Sequence, residues 1–581
     1  LIANLANATY VAIDEEMTGI SIPGSGRPPK DDTPADRYKI IKQAPERYSI
    51  IQFGLAIFIR ENEHLTVKKY NFYLFPNTNN NAREVTLNPS SIEFLKEHDM
   101  DFNMWMKEGV SFCTTEQATE FMAKYRKKAQ TLMEDPPPQS SEDRQKVVLS
   151  RAEDINFHAR TMASLREWLD SARVATDEGT AFILPPANAF LRRALYETIN
   201  HEYPSLILEK YGTNQIRVLR MTAAEKETRR QRLRKEAWDQ LIVEELGFWR
   251  VFFALSQANQ GYTPVNSLAL ASSMDQVGLD DVLQLQPRSH KVPIVVHNGL
   301  MDILFLLSHC FSTKLPDTFK ECKSLIATQF PLIYDTKVMA TEGPTRHENT
   351  VLSQLFSAVV PEAVAANIIL QETSTSAQIH EASHDAYMTG ALFYGLSIQA
   401  ADNGVPLWDV HYERTLTDNR IRNKLYLMLT MFTIDLENPN EDPLSRGMQL
   451  DSTYRVTGSD PSVSTRDVVR CLTSVTSPFS NSRIHFEVIW VDDTTFMVAA
   501  RDEDSDRDRM VVHGKLISKA LKERFTLSRV ESLADILQRK EGREKIKKRK
   551  SWSFWSWFGF GIRDDDEEEE YDRPWKRRRL E

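Results

Sequence analysis

The run Ile13-Asp14-Glu15-Glu16 sets two carboxylates, Asp14 and Glu16, at alternate positions at the end of a β-type segment. On a strand, residues i and i+2 share a face, so Asp14 and Glu16 point together and Glu15 points the other way. Two carboxylates on one face suit a hard divalent cation. Taken alone, the pair reads more simply as a solvated strand end. A third carboxylate, Asp302, falls inside the apolar run Leu300 to Leu307, where burial without a partner is costly. It either caps its helix or serves a metal, and both readings stay open here. The third element is His380-Glu381-Ala382-Ser383-His384-Asp385. An imidazole with an unperturbed pKa of about 6.5 can take a proton from water near neutral pH, which makes His380 the candidate base. His384 adjoins Asp385 directly, points away from the shared face, and is assigned a structural role.

These residues are far apart in the chain, so a sheet must gather them. Three β-branched and aromatic runs, Tyr10 to Asp14, Tyr48 to Ile59 and Tyr70 to Phe75, lie close enough to pair as an antiparallel meander. Pro293 to Val296 and Leu332 to Asp335 read as later strands, with helices over Leu300 to Cys310 and Glu381 to Leu396. Strands alternating with helices imply parallel additions to the same sheet. The expected fold class is therefore α/β, a ribonuclease-H-like mixed sheet built from two halves, residues 1–135 and 222–432. Between them, Glu134 to Asp143 reads as an exposed linker and 145–221 as a small α/β insert. A charged helix from about Ala223 carries Arg229, Arg230, Arg232, Arg234 and Lys235 and turns apolar over Leu241 to Leu255. Its plainer reading is a solvated face; its functional reading is a phosphate-tracking surface. Glu437 to Pro443 reads as a second linker, followed by a βαββαβ segment at 446–526. From 539 to 581 the chain reads as a disordered tail.

The three elements in this order resemble the DEDDh exonucleases: D-x-E on a first strand, Asp on a mid-chain helix, H-x-A-x-x-D on a late one. The tyrosine variant of that group would need Tyr where Glu381 stands. Asp14, Glu16, Asp302 and Asp385 together can hold two Mg²⁺ ions roughly 4 Å apart, with Mn²⁺ as a substitute. Longer stretches are similar to the poly(A)-specific ribonuclease family. They include Tyr10 to Ile20, Ile51-Gln-Phe-Gly-Leu55, Tyr70 to Pro76, Ser91 to Leu95, His297 to Asp302, Tyr334 to Ala340 and His380 to Gly390. The likeness continues through Asn423 to Met428 and Trp490 to Thr495, covering about residues 1 to 525. It implies hydrolysis of mRNA poly(A) tails from a free 3′ hydroxyl with release of 5′-AMP, a magnesium requirement and a homodimer. It also implies Asp14, Glu16, Asp302 and Asp385 as metal ligands and His380 as base, and puts Met17, Ile20 and Lys337 near the terminal adenosines.

The same resemblance equates the insert with a small R-x-x-x-H nucleic-acid-binding domain, although within 145–221 no arginine stands four residues before a histidine. RNA contact and dimer packing both remain open for it. Residues 446–526 resemble an RNA-recognition motif (RRM), in which aromatics on central strands stack bases. Tyr454 and Phe496 are the candidates for stacking, and Trp490 the candidate for the mRNA 5′ cap. Two other readings stay open: the same nuclease trimming adenylated small nuclear or nucleolar RNAs, and an inactive RNA-binding adaptor.

A formal net charge of −10 decides little, because Asp564 to Glu570 is an unbroken acidic run and a metal-binding cleft is itself acidic. The four cysteines have no metal-type spacing and suit a reducing compartment. No apolar run approaches the ~20 residues that span a bilayer, so no membrane is expected. The chain begins at Leu1 without an initiator methionine or a visible signal-peptide pattern. Basic clusters at Arg543 to Lys550 and Lys576 to Arg579 point to the nucleus, with a cytoplasmic share.

Overall fold

The computed structural model describes residues 1–24, 32–62, 64–76, 84–133, 147–171, 181–264, 285–371, 381–399, 408–428, 430–445, 448–476, 484–502 and 507–540. His380, the 134–143 linker and the tail beyond 540 lie outside them. The chain divides into two units: 1–26 with 35–426 and 435–440, and 27–34 with 427–434 and 441–581.

The first unit is built on a six-stranded mixed sheet. In chain order its strands are β1 (Tyr10–Met17), β2 (Ile50–Glu61), β3 (His64–Tyr73), β4 (Ile294–Val296), β5 (Ile333–Asp335) and β6 (Ile368–Gln371). Their spatial order is β5-β4-β1-β2-β3-β6. The expected meander is present, β1 antiparallel to β2 and β2 to β3. The later strands add in parallel, β4 beside β1, β5 beside β4 and β6 beside β3. Such a mixed α/β arrangement is consistent with a ribonuclease-H-like nuclease.

Among the expected strands of this sheet, two boundaries differ from expectation by three residues or more. β1 runs three residues past Asp14, because β2 still supplies partners: Glu15 faces Phe53 and Glu16 faces Gln52 before a register shift sets Met17 opposite Ile50. β3 starts at His64, where Leu65 and Val67 are buried. Three helices position the candidate residues: α1 (Leu300–Cys310), α2 (Thr336–Glu342) and α3 (Ala382–Gln399). α3 lies across β1 and β2, burying Leu392 and Phe393 with Tyr10, Ala12, Ala56 and Phe58. The Tyr10 hydroxyl donates to the Gly390 carbonyl at 3.0 Å, and a side chain at Gly390 would overlap the Phe58 ring.

Residues 147–221 carry helices Ala152–Asp170 and Ala189–Glu202 and a three-stranded sheet, around a core that includes Leu165, Leu195, Ile199 and Val218. The charged helix spans Ala223–Asp239, followed by a π-helical turn, Gln240–Leu246, that buries Leu241, Ile242 and Leu246. Arg229, Arg230 and Arg232 pair with Glu209, Glu227 and Glu236, so part of the helix's positive charge is matched within the chain. The first part of the expected second linker is tied down: Lys323 Nζ donates to the Asn438 carbonyl at 2.8 Å, and Asn423 Nδ2 to Glu437 at 3.0 Å.

The second unit has the expected βαββαβ order. Its strands Thr453–Thr457, Ile484–Asp492, Thr495–Asp502 and Arg529–Ser532 form one antiparallel sheet, with helices Thr465–Thr476 and Arg507–Arg524. Residues 533–540 are helical, so the expected disordered tail does not begin at 539. None of the described helices is long and apolar enough to cross a membrane.

Candidate active site

Asp14 and Glu16 leave β1 on one face, as alternation requires. α3 brings Asp385 in its first turn against the same face. One carboxylate oxygen from each of Asp14, Glu16 and Asp385 lies within 4.8 Å of the others. Asp302, in the first turn of α1, stands outside this trio yet is, after burial, the first charge acting on Asp14. The four sequence-assigned carboxylates thus come close enough for their charges to act on one another.

Their protonation records the crowding. Burial, then Asp302, Asp385 and Glu16, hold Asp14 well above the ordinary carboxylate range. Burial with Asp385 and Asp302 pushes Glu16 up to about 8. Burial with Asp335 pushes Asp302 up to about 8. Asp385 rises to about 6 through burial, opposed by the charge of His98. Concentrated negative charge built from hard oxygen donors is what a divalent cation would neutralise. The donor set fits such an ion.

Three residues that position these carboxylates were not singled out from the sequence. Gln52, buried on β2, accepts the Ala382 backbone N–H at 3.0 Å and so caps the start of α3. Two residues on, Gly54 pairs with Asp14 across the strands, and a Cβ there would overlap the Ala382 carbonyl and the Ser383 nitrogen. The Gln-Phe-Gly run is therefore a seat for the helix that carries Asp385. Gly54→Ala should cost ~1–3 kcal/mol of overpacking and, by displacing Asp385 on the scale of an ångström, about 10²-fold in turnover. A thermal melt and a rate on one substrate check it; an unchanged rate would contradict the seating role.

Asp335 is the third. Its fully buried carboxylate accepts backbone N–H bonds from Asn298 and Lys337 at 2.9 Å and from Tyr426 at 3.0 Å. It thereby ties the loop before α1, the start of α2 and the 424–426 strand into one support for Asp302. Asn298 sits at φ 59°, a left-handed conformation that asparagine tolerates better than most side chains. A carboxylate at the end of a strand and just before a helix was the available signal.

The remaining predicted residues are spread more widely. Met17 is buried at the end of β1, whereas Ile20 is 58% exposed. The Lys337 ammonium lies over the Tyr426 ring, 4.6 Å from its centroid. His384 is half-buried beside Tyr387, with ring centroids 6.1 Å apart. Glu15 is buried with neither carboxylate oxygen hydrogen-bonded in the described structure. In the second unit, Phe496 is fully buried between Trp490 and Phe525, and Tyr454 is buried in the same cluster. Both turn toward the helices, so neither ring is laid open on the sheet for base stacking. Trp490 is half-buried, and its indole N–H donates to Thr465 Oγ1 at 2.9 Å.

Known proteins share this chain's pattern. The CAF1 family ribonuclease model matches residues 1–393. The poly(A)-specific ribonuclease PARN of Xenopus laevis is 26% identical over 85% of this chain and 74% of its own length. The human protein of that name is 25% identical over 95% of this chain and 80% of its own length. With a matched stretch that contains all four carboxylates, the chain belongs to the CAF1 family of ribonucleases.

Proposed function

We propose that this ribonuclease removes adenosines one at a time from the 3′ end of RNA, with poly(A) tails of mRNA as substrate and 5′-AMP as product. The observation that carries the reading is the convergence of Asp14, Glu16 and Asp385, with Asp302 beside them, in a protein whose relatives are named poly(A)-specific ribonucleases.

Asp14, Glu16, Asp302 and Asp385 would hold two divalent cations, Mg²⁺ in the reading adopted here. Bound there, the ions supply Lewis-acid stabilisation of charge developing on the phosphodiester oxygens. The carboxylates fix that charge distribution in advance, so little reorganisation is needed during reaction. His380, five residues before Asp385, takes the proton from the attacking water. Ile20, exposed beyond the end of β1, offers an apolar face to the terminal adenine, and Met17 backs it. Lys337 supplies a positive charge for a phosphate of the bound strand. We read the 147–221 segment as the small nucleic-acid-binding insert and the second unit as RRM-like, with Trp490 as the residue for the cap and a homodimer as the working form.

The test is purified chain on oligo(A) and oligo(U), with and without chelator. The expected result is 5′-AMP from oligo(A), slower loss from oligo(U), and none from either when the metal is removed. Equal rates on both would remove the adenine preference and leave the nuclease; chelator-resistant hydrolysis would remove the metal site.

A further inference from the structure

The second unit turns an unexpected face to its surroundings. Alternation along its strands sends Tyr454, Val456, Phe496 and Val498 to the helix side. Met497, Ala499, Ile489 and Val491 go to the other side, and that side is not open. Met431, Phe432, Leu444 and Met448 pack on it together with Leu533 and Leu537. The chain covers its own sheet, so the surface on which such a unit would stack bases is filled by its own side chains.

The helix side offers the opposite chemistry. Helix Arg507–Arg524 buries Ile517, Ala520 and Leu521 and exposes Lys515, Lys519 and Lys522. That spacing puts the three lysines on one stripe, spanning about 10 Å at the ~1.5 Å rise of a helix. They line an open groove of about 610 Å³ with Tyr454, Ser518, Thr526 and one carboxylate, Glu523. Lys519 is 3.9 Å from Glu523 with both side chains mostly exposed, a contact of small worth. Lys515 and Lys522 have no ion-pair partner among the described residues. A row of ammonium groups beside an aromatic edge, in a chain of net charge −10, is complementary to a polyanion.

We propose that this groove is a second RNA-docking surface, taking the phosphate backbone of a single strand on the helix side of the unit rather than on its sheet. Lys515, Lys519 and Lys522 neutralise phosphates, and binding is carried by charge with little base selectivity. The inference rests on the proposed RNA substrate.

The experiment uses the full chain with Asp302→Asn, to stop turnover, and a labelled oligo(A) of roughly 20 nucleotides. Affinity is measured from about 50 to 200 mM salt, with and without the triple change Lys515→Gln, Lys519→Gln, Lys522→Gln. Three lost contacts on a single strand should flatten the logarithmic salt slope by about 2, so that the parent loses about 20-fold more affinity than the variant across that range. A triple Lys→Arg variant should retain the parent slope, which separates charge from folding. An unchanged slope in the Gln variant overturns the proposal. So does a slope that becomes lysine-dependent only after residues 564–570 are deleted, since the acidic run would then be the occupant. Hydrolysis of a three-nucleotide oligo(A) by the native chain reports the catalytic reading separately; a chain that cleaves it without a lysine-dependent slope keeps that reading and loses this one.

Discussion

Asp302→Asn should lower oligo(A) hydrolysis by about 10³-fold or more while making the metal-free protein harder to unfold. The two effects share one cause. In the native chain burial and Asp335 push Asp302 up to about 8, so without a cation the fold must either hold its proton near neutral pH or bear its charge beside Asp14, Glu15 and Glu16, and both disfavour the folded state. Asparagine keeps the shape and removes the charge. Activity falls because a preorganised charge beside the reacting phosphate is gone, and stability rises by about 1–2 kcal/mol, the usual range for relieving strain at an active site. Kinetics and a chelator-treated thermal melt on the same preparation check both. A variant that loses activity because it is less stable would assign Asp302 to the fold instead of the chemistry. Normal activity would remove it from the site.

How far the sequence carried this depends on the range of each interaction. Alternation is local, so the shared face of Asp14 and Glu16 followed from spacing of two, and the meander followed from three neighbouring β-type runs. The end of β1 was misjudged because Glu15, Glu16 and Met17 look like a strand end in isolation; only pairing with β2 keeps them extended. β6 was not anticipated, since Ile368–Gln371 is four residues long and acquires its identity from β3. Gln52 and Gly54 act on a helix 330 residues further along, a relation no local pattern contains. The sidedness of Tyr454 and Phe496 was ambiguous for a related reason. Periodicity says which residues share a face, but which face is covered depends on Met431, Phe432, Leu444, Met448 and Leu533 folding over it.

Metal-free protein should become less stable as pH rises from about 4 to 8, the reverse of ordinary acid denaturation, and a divalent cation should restore it. Glu16 and Asp302 are pushed up to about 8 and Asp385 to about 6, with Asp14 and Glu15 also raised. A carboxyl whose folded pKa exceeds its unfolded value near 4 retains its proton longer in the fold. The folded state then holds more protons than the unfolded one, and stability is fully present below pH 4 and falls as pH climbs through the folded values. Each retained proton contributes about 1.4 kcal/mol per pH unit. Beside the site His297 works the other way: burial depresses its imidazole to about 4, so its contribution is full above about 6.5 and lost as pH falls toward 4. A single histidine offsets one carboxyl proton, whereas several carboxyls are raised, so the net trend of the site keeps its sign. A cation present at a hundred times its Kd would add about 2.7 kcal/mol, and its effect should grow with pH because it competes with those protons. Melting curves at pH 5, 6, 7 and 8, with chelator and with Mg²⁺, decide the matter: a Mg²⁺-induced shift that is constant across the series would mean the ion is not binding through the carboxylates on β1, α1 and α3.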